Sequence, residues 1–426
     1  MNDFTRKRII ILLTIIALGM FGYYQYSVME PFSGAKQKIL ILAKQAEQEK
    51  NNDIHYSGLD SEKYQSQSNQ DQLGLNAKAA LLLDATSNRI LYEKNGFQEM
   101  PMASTTKIMT CIVALENCSL DDVVTFSSYA ASMPDVQLNA HAGEKFIIRD
   151  LLYSLMLESH NDTAVAIAEY IGGSVEGFAT MMNAKAKELG LEHTHFVTPN
   201  GLDAEDHFTT AYDLAIIASY AIRNEEFVNI INTPSHIFKT VDQKKEYAVT
   251  NKDKFLYLMD GAFGIKTGFT NNAGYCFTGA LRNHSRTFIS VVLGSGWPPH
   301  KSYKWKDTIQ LMKYGIKNFT YQNLSDFTKE LPKLPVLNGQ NSEIELKIKP
   351  INFPILMKAT DKIYVEYSLP HYAKAPVVQN EEVGSVRFYI NNVFFKEYPI
   401  YSKNHVPKID YGFCLDEILS RFLHFR

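Results

Sequence analysis

Two groups of strand-like sequence enclose a long helical stretch, and this order constrains the fold more than any other feature of the chain. The first group is a hairpin at 79–92, and the second is three apolar, β-rich runs at 263–269, 274–282 and 286–294. Between them, apolar residues recur at helical spacing in the segments 104–115, 148–157, 162–171 and 213–222. We therefore predict one α/β domain over residues 73–322, in which both ends of the segment contribute strands to a single sheet.

The sequence after residue 322 alternates apolar and polar residues. Ile344, Leu346 and Ile348 lie between charged residues, and 386–390 repeats the pattern before the turn Asn391-Asn392. This alternation predicts a small all-β domain over 323–404. The end, 405–426, predicts an amphipathic tail helix that packs on a membrane surface, on the β domain or on a partner. Its apolar stripe consists of Leu415, Ile418, Leu419, Phe422 and Leu423.

The N-terminus resembles a membrane-directed segment. Arg6, Lys7 and Arg8 precede an apolar run from Ile9 to Tyr24. Such a run is intermediate between a signal sequence and a full membrane span, so residues 1–35 are either an uncleaved anchor, which we favour, or a cleaved signal. The positive charges would keep the first residues in the cytoplasm and leave the rest of the chain outside. Residues 36–72 are polar and predict a solvated linker.

Composition excludes several classes of protein. Apolar residues make up 45% and charged residues 21%, which are globular proportions. The formal net charge of −3 gives no electrostatic basis for binding nucleic acid. Four cysteines are too few for a disulfide scaffold, and no Cys/His cluster predicts a metal site, so we expect no metal and no cofactor.

Three short motifs follow one another along the predicted domain. Ser104-Thr105-Thr106-Lys107 begins a helix, Ser159-His160-Asn161 lies in the loop 158–161 between two helices, and Lys266-Thr267-Gly268 lies on a strand. Each pattern alone is weak, since Ser402-Lys403-Asn404 matches the second by chance. All three, in this order and each on its own kind of element, are a specific signal.

The first motif supplies a nucleophile and a base. A serine hydroxyl needs a base to become nucleophilic, and Lys107 lies one helical turn from Ser104. An ordinary lysine has a pKa of about 10.4, so freeing its amine at neutral pH costs about 4.6 kcal/mol. Burial and a second cation, Lys266, would lower that cost.

The three motifs together resemble the penicillin-recognising serine enzymes. The sequence around them is similar to the D-alanyl-D-alanine carboxypeptidases of the peptidase S11 type, the low-molecular-mass penicillin-binding proteins. The resemblance covers roughly residues 73–426, and the stretches that carry it are 102–110, 158–173, 201–215, 260–277 and 343–404. It implies a serine transpeptidase/β-lactamase-like domain with a central antiparallel sheet and a helical lobe, followed by the β domain and the tail helix.

The resemblance also implies an activity and its partners. The enzyme would remove the terminal D-alanine from peptidoglycan pentapeptides that end in D-Ala-D-Ala, and β-lactam antibiotics would acylate it. It would act at the extracytoplasmic face of the bacterial cytoplasmic membrane, either anchored or secreted.

Each motif residue then receives an expected role. Ser104 is the nucleophile, Lys107 its base, and Ser159 relays a proton to the leaving amine. The expected substrate-binding residues are Asn161 for an amide, Lys266 and Thr267 for the terminal carboxylate, Gly268 and Phe269 beside the oxyanion hole, and Lys252 as a further basic residue. The backbone N–H groups of Ser104 and Phe269 would form the oxyanion hole. His160 stands where the family often has a small residue, and we expect it to matter little.

Other functions remain open at this point. A β-lactamase would need a glutamate that activates water, and Glu225 in the pattern E-x-x-x-N lies far from Ser159 in sequence. A D,D-endopeptidase or an esterase would use the same residues. A non-catalytic β-lactam sensor or wall scaffold is an alternative of another class, against which the intact Ser104, Lys107 and Lys266 argue.

Overall fold

The computed structural model describes residues 18–20, 73–134, 136–351 and 353–423. The predicted anchor and linker, residues 1–72, therefore lie outside the described residues except for 18–20, which are helical. Among the described residues, no helix has both the length and the apolar character needed to cross a membrane.

A five-stranded antiparallel sheet organises the first compact unit, which contains residues 73–323 and 353–361. Its strands are β1 (Ala79–Asp84), β2 (Ile90–Lys94), β7 (Ala262–Thr270), β8 (Gly274–Asn283) and β9 (Arg286–Leu293). Their order is β2-β1-β9-β8-β7, so the N-terminal hairpin pairs with the last strand of the second group. The prediction of one sheet built from both ends of the segment is confirmed.

Helices cover both faces of this sheet. Leu81 and Leu83 of β1 pack into a large core with the helical lobe, whereas Leu82 packs on the opposite face with Leu311 of the last helix in this unit. Both faces of β1 are therefore buried, and this explains why the strand has an unbroken apolar run rather than an alternating pattern.

The helical lobe and its short hairpins lie between β2 and β7 along the chain. The helices are α1 (Lys107–Asn117), α2 (Ser128–Ala131), α3 (Ile148–Tyr153), α4 (Asn161–Gly172), α5 (Val175–Glu188), α6 (Ala211–Ala221) and α7 (Glu225–Asn232). The hairpins are β3 (Val123–Thr125) with β4 (Lys145–Ile147), and β5 (Ser235–Lys239) with β6 (Glu246–Thr250). The last helix of the unit, α8 (Tyr303–Asn318), follows β9.

Helix ends agree with the sequence in one place and differ in another. In the sequence, Thr210 stands three residues before Asp213, a pattern that predicts a helix start, and in the structure its hydroxyl caps α6 by accepting the N–H of Asp213 at 3.0 Å. The helix predicted at 148–157 changes at Ser154 into a π-helical turn, Ser154–Glu158. The predicted loop of four residues is therefore shorter, since only Ser159 and His160 separate this turn from α4.

Residues 324–351 and 362–423 belong to a second compact unit. It contains β11 (Leu334–Leu337), β12 (Glu343–Ile344), β13 (Leu346–Ile348), β15 (Ile363–Ser368), β16 (Ala373–Lys374), β17 (Glu382–Ile390) and β18 (Val393–Ser402). Val386, Phe388 and Ile390 are buried while their neighbours are partly exposed, and this confirms the period-two pattern. The tail forms α9 (Tyr411–Leu423), and its contact with a membrane remains a prediction.

One segment within 323–404 belongs to the first unit. Strand β14 (Pro354–Lys358) pairs with β10 (Phe319–Asn323), directly after α8. Asp361 forms an ion pair with Arg89 at 2.8 Å, and both side chains are buried. Leu356 joins the core on the α8 side of the sheet. These contacts hold residues 353–361 to the first unit.

Candidate active site

The first motif spans a tight turn and the start of a helix. A 3-10 turn, Ala103–Thr106, carries Ser104, and α1 begins at Lys107. Ala103 has a left-handed backbone, with φ at 48°, a conformation that is costly for a residue with a Cβ and is often found at functional sites. Ser104 is partly exposed, whereas Lys107 is fully buried.

The amine of Lys107 contacts three oxygen atoms from three segments. Its Nζ lies 3.1 Å from Ser104 Oγ, 2.8 Å from Asn161 Oδ1 and 2.5 Å from the carbonyl oxygen of Asn200. The two carbonyl oxygens only accept hydrogen bonds, so a neutral amine satisfies them with its two N–H groups and keeps its lone pair for the Ser104 hydroxyl. The geometry therefore suits a lysine that accepts a proton from serine.

Burial and charge both favour that neutral amine. Desolvation lowers the pKa of Lys107 well below its ordinary value, and the positive charge of Lys266 lowers it further. The carboxylate of Asp162 acts in the opposite direction and raises the pKa, but burial outweighs it.

The second motif lies between the π-helical turn and α4. Ser159 has a left-handed backbone, with φ at 74°, and its Oγ is buried without a hydrogen-bond partner among the described residues. Asn161 is the first residue of α4, and its side chain connects Lys107 with the carbonyl oxygen of Pro134, to which Nδ2 donates at 3.1 Å. The structure thus brings Asn161 into contact with Lys107 and leaves the Ser159 hydroxyl available.

The third motif lies on β7, which is the edge strand of the sheet. Gly268 faces the serine turn so closely that a Cβ there would lie 3.0 Å from Ser104 N and 3.1 Å from Ala103 Cβ. Thr267 is partly exposed and Phe269 is 38% exposed. Because an edge strand leaves one row of N–H groups unpaired, this close approach suits an oxyanion hole formed with the N–H of Ser104.

Lys266 is a buried cation with an unusual pKa. Burial first, and then the charge of Lys304, lower the pKa of Lys266 to about 7, whereas Asp253 acts to raise it. Its Nζ donates to the carbonyl oxygen of Thr267 at 3.2 Å. Neither Lys304 nor Asp253 lies in one of the three motifs, so the sequence did not indicate them. Lys304 lies at the start of α8 against the rings of Tyr275 and Trp305.

The loop 198–203 was also missed as part of the site. The carbonyl oxygen of Asn200 accepts from Lys107, and a Cβ on Gly201, whose φ is 81°, would lie 2.0 Å from the carbonyl oxygen of Ala103. Asp203 accepts from Thr270 at the end of β7 at 2.8 Å. Residues 201–215 carry part of the family resemblance. The contact of the Asn200 carbonyl with Lys107 could not be predicted, because every residue has a backbone carbonyl and no side chain marks this one.

A buried histidine supports the serine turn. His207 Nδ1 accepts from the N–H of Val197 at 2.9 Å, so Nε2 carries the proton and donates to Thr106 Oγ1 at 3.0 Å. Thr106 in turn donates to the carbonyl oxygen of Ala103 at 2.8 Å. Burial, with a smaller effect from His195, lowers the pKa of His207 to about 4, so the ring is neutral at pH 7.

The remaining candidates differ in their exposure and in their contacts. The side chain of Lys252 is 60% exposed, and its Nζ forms an ion pair with Glu158 at 2.8 Å. His160 is buried, and its Nδ1 lies 2.8 Å from Ser154 Oγ. Glu225 is exposed at the start of α7.

The neutral state of His207 predicts a pH-dependent stability. Between pH 6.5 and pH 4 the unfolded chain binds a proton that the folded protein does not, so the free energy of unfolding falls as the pH falls. From pH 7 to pH 5 the wild-type protein should lose about 2 kcal/mol more than His207→Asn, as measured by denaturant unfolding at both pH values. Equal losses in the two proteins would contradict a neutral, buried His207.

Two family profiles match this chain. The first, described as D-alanyl-D-alanine carboxypeptidase, matches residues 65–296, and the second, the C-terminal domain of penicillin-binding protein 5, matches residues 319–408. DacF of Bacillus subtilis, a D-alanyl-D-alanine carboxypeptidase, is 29% identical over 83% of this chain and 92% of its own length. The D-alanyl-D-alanine carboxypeptidase of Streptomyces sp. K15 is 33% identical over 53% of this chain and 82% of its own length.

Solved structures agree with this match. Penicillin-binding protein 5 of Haemophilus influenzae superimposes with a TM-score of 0.65 and 26% identity, over 78% of this chain and 98% of its own. The Streptomyces K15 DD-transpeptidase superimposes with a TM-score of 0.54 and 31% identity, over 57% of this chain and 97% of its own. The first profile covers more than half of the chain, and the resemblance inferred from the three motifs is confirmed. The chain therefore belongs to the D-alanyl-D-alanine carboxypeptidase family, the S11 serine peptidases, which are penicillin-binding hydrolases.

Proposed function

We propose that this carboxypeptidase works through an acyl-enzyme on Ser104, with Lys107 as the base. One observation carries the proposal: a fully buried amine, whose pKa is lowered, lies 3.1 Å from a partly exposed serine hydroxyl. The substrate is a peptidoglycan stem peptide that ends in D-Ala-D-Ala, and β-lactams acylate the same serine.

Acylation follows from the contacts of Lys107. Its lone pair takes the Ser104 proton while Oγ attacks the carbonyl carbon of the penultimate D-alanine. The N–H groups of Ser104 and Phe269 stabilise the oxyanion of the tetrahedral intermediate. Ser159, whose hydroxyl has no other partner among the described residues, passes the proton to the amine of the leaving D-alanine as the C–N bond breaks. Water then hydrolyses the ester and regenerates the serine.

The substrate is held from both sides of the serine. Lys266 and Thr267 on β7 bind the terminal carboxylate, and Gly268 lets the strand approach the reacting carbonyl. Asn161 binds a backbone amide of the stem peptide while it also orients Lys107. A pKa of about 7 for Lys266 means that carboxylate binding favours its charged form, and this charge in turn keeps Lys107 neutral.

The substrate class supports a location outside the cytoplasm. Peptidoglycan stem peptides end in D-Ala-D-Ala at the outer side of the cytoplasmic membrane. The apolar run Ile9–Tyr24 would anchor the chain there, and the polar residues 36–72 would let the first compact unit reach the wall. The stripe on α9 would add a second contact with the same membrane.

Other hydrolytic activities would use the same nucleophile. A D,D-endopeptidase differs only in the bond that it accepts, and a β-lactamase needs fast deacylation. The exposed position of Glu225 gives no support to a water-activating glutamate at that residue. A sensor or scaffold would form the acyl adduct without releasing D-alanine.

The first functional prediction concerns Lys107. The wild-type protein should release one D-alanine from a pentapeptide that ends in D-Ala-D-Ala, as detected by mass spectrometry. Lys107→Ala should lower kcat/KM at least about 100-fold, because removing a general base costs that much, and Ser104→Ala should show no acyl adduct with penicillin.

The control is Lys187→Ala, which removes a lysine in the last turn of α5 and should leave activity unchanged. Wild-type protein that forms the adduct but releases no D-alanine would contradict the carboxypeptidase. Near wild-type acylation by Lys107→Ala at neutral pH would contradict Lys107 as the base.

A further prediction tests the approach of β7 to the serine turn. The methyl group of Gly268→Ala would meet Ser104 N and Ala103 Cβ at about 3 Å, so the strand must move away from the oxyanion hole. Acylation by penicillin should slow about 10-fold to 100-fold. This loss is smaller than the roughly 100-fold to 1,000-fold loss in rate that follows complete removal of one oxyanion-hole donor.

Gly412→Ala in the tail helix is the matched control. Among the described residues, its only close contact would be Asp410 Oδ1 at 3.4 Å, which is ordinary packing, so its acylation rate should equal that of the wild type. A Gly268→Ala variant that acylates at the wild-type rate would show that β7 does not contribute the oxyanion donor.

A further inference from the structure

One carboxylate connects the second motif with the segment that precedes β7. Glu158 Oε1 accepts from the N–H of Thr250 at 2.9 Å and from Lys252 Nζ at 2.8 Å. Its Oε2 lies 3.3 Å from His160 Nε2. Beside it, the N–H of Lys252 donates to the carbonyl oxygen of Leu157 at 3.1 Å, so the two segments are joined by backbone and side-chain bonds.

The contact through His160 continues into the helical lobe. His160 Nδ1 lies 2.8 Å from Ser154 Oγ, and that hydroxyl lies 2.9 Å from Thr163 Oγ1. Ser154 begins the π-helical turn and Thr163 lies in the first turn of α4. The side chains on both sides of Ser159 therefore belong to one connected set, whereas the Ser159 hydroxyl itself has no partner among the described residues.

Ser159 needs such support because its backbone is strained. A left-handed φ of 74° costs free energy for serine, and a π-helical turn precedes it. Glu158 and His160 flank it directly, and their contacts with Thr250, Lys252 and Ser154 restrain the turn from both ends.

We propose that Glu158 is a positioning residue for Ser159 and that Lys252 acts through Glu158 rather than on the substrate carboxylate. The carboxylate holds the turn in the conformation that presents the Ser159 hydroxyl to the leaving amine. The charge of Lys252 is already paired with Glu158. This inference rests on the role of Ser159 given under the proposed function.

The pairing predicts a specific kinetic pattern. Loss of a positioning residue for the proton relay lowers kcat and leaves substrate binding unchanged, whereas loss of a carboxylate-binding residue raises KM. When two residues act through one contact, the losses in kcat from substituting each of them are not additive in the double variant.

The experiment measures D-alanine release by Glu158→Gln, Lys252→Gln and the double variant of the full chain. Glu158→Gln keeps the shape of the side chain and removes its charge; it should lower kcat about tenfold with KM within about twofold of the wild type. Lys252→Gln should lower kcat about threefold, and the double variant should match Glu158→Gln within about twofold. Glu345→Gln, which breaks an ion pair of 2.7 Å with Lys403 in the second unit, should behave as the wild type.

Three results would overturn the inference. They are an unchanged kcat in Glu158→Gln, a rise in KM as the main effect of Lys252→Gln, and additive losses in the double variant. Lys252→Gln changes a mostly exposed side chain, so it remains informative even where Glu158→Gln folds poorly. Failure of the proposed function is distinguishable, because it would show as absent D-alanine release in the wild-type protein itself.

Discussion

The burial of the Lys107 amine is the constraint on which the rest of the site depends. A lysine removed from water needs either a counter-ion or a lost proton, and no carboxylate forms an ion pair with Lys107 among the described residues. Its three contacts instead suit a neutral amine that faces a serine hydroxyl. Each contact comes from a different part of the chain, so the amine has all three only when the serine turn, α4 and the loop at Asn200 are in position.

The architecture explains how those parts meet. The sheet uses strands from both ends of the catalytic segment, and its edge strand β7 lies against the serine turn because Gly268 has no side chain. Around this contact lie several groups whose burial changes their pKa. Burial lowers the pKa of Lys266 to about 7 and raises that of Asp253 to about 7. Near neutral pH, the lysine amine and the carboxyl group are therefore each only partly charged. Burial also lowers the pKa of His160, whose Nε2 lies 3.3 Å from Glu158 Oε2 on the other side of Ser159 in sequence.

Patterns that act locally could be predicted from the sequence. Apolar runs bounded by turn residues located β1, β2, β7, β8 and β9, and the cap at Thr210 located α6. The pairing of β14 with β10 could not be predicted, because β-strand pairing across a long insertion leaves no local pattern. The Asn200 carbonyl is backbone, and the contacts of His207 and Glu158 with the motif residues and their neighbours arise only from the tertiary fold. The motif residues Ser104, Lys107 and Asn161 could be proposed from the sequence because the chemistry expected of them requires particular side chains at particular spacing.

The protonation state of Lys107 in the free protein is the most direct test of this account. Lysine labelled with ¹⁵N at Nζ allows the amine to be followed by NMR from about pH 5 to about pH 11, with its signal assigned by loss in Lys107→Ala. We expect the Lys107 amine to titrate well below the ordinary lysine pKa of about 10.4, because the amine is buried and lies near the charge of Lys266. A Lys107 amine that stays protonated at pH 7 and titrates at about 10.4, as an ordinary lysine does, would contradict this account.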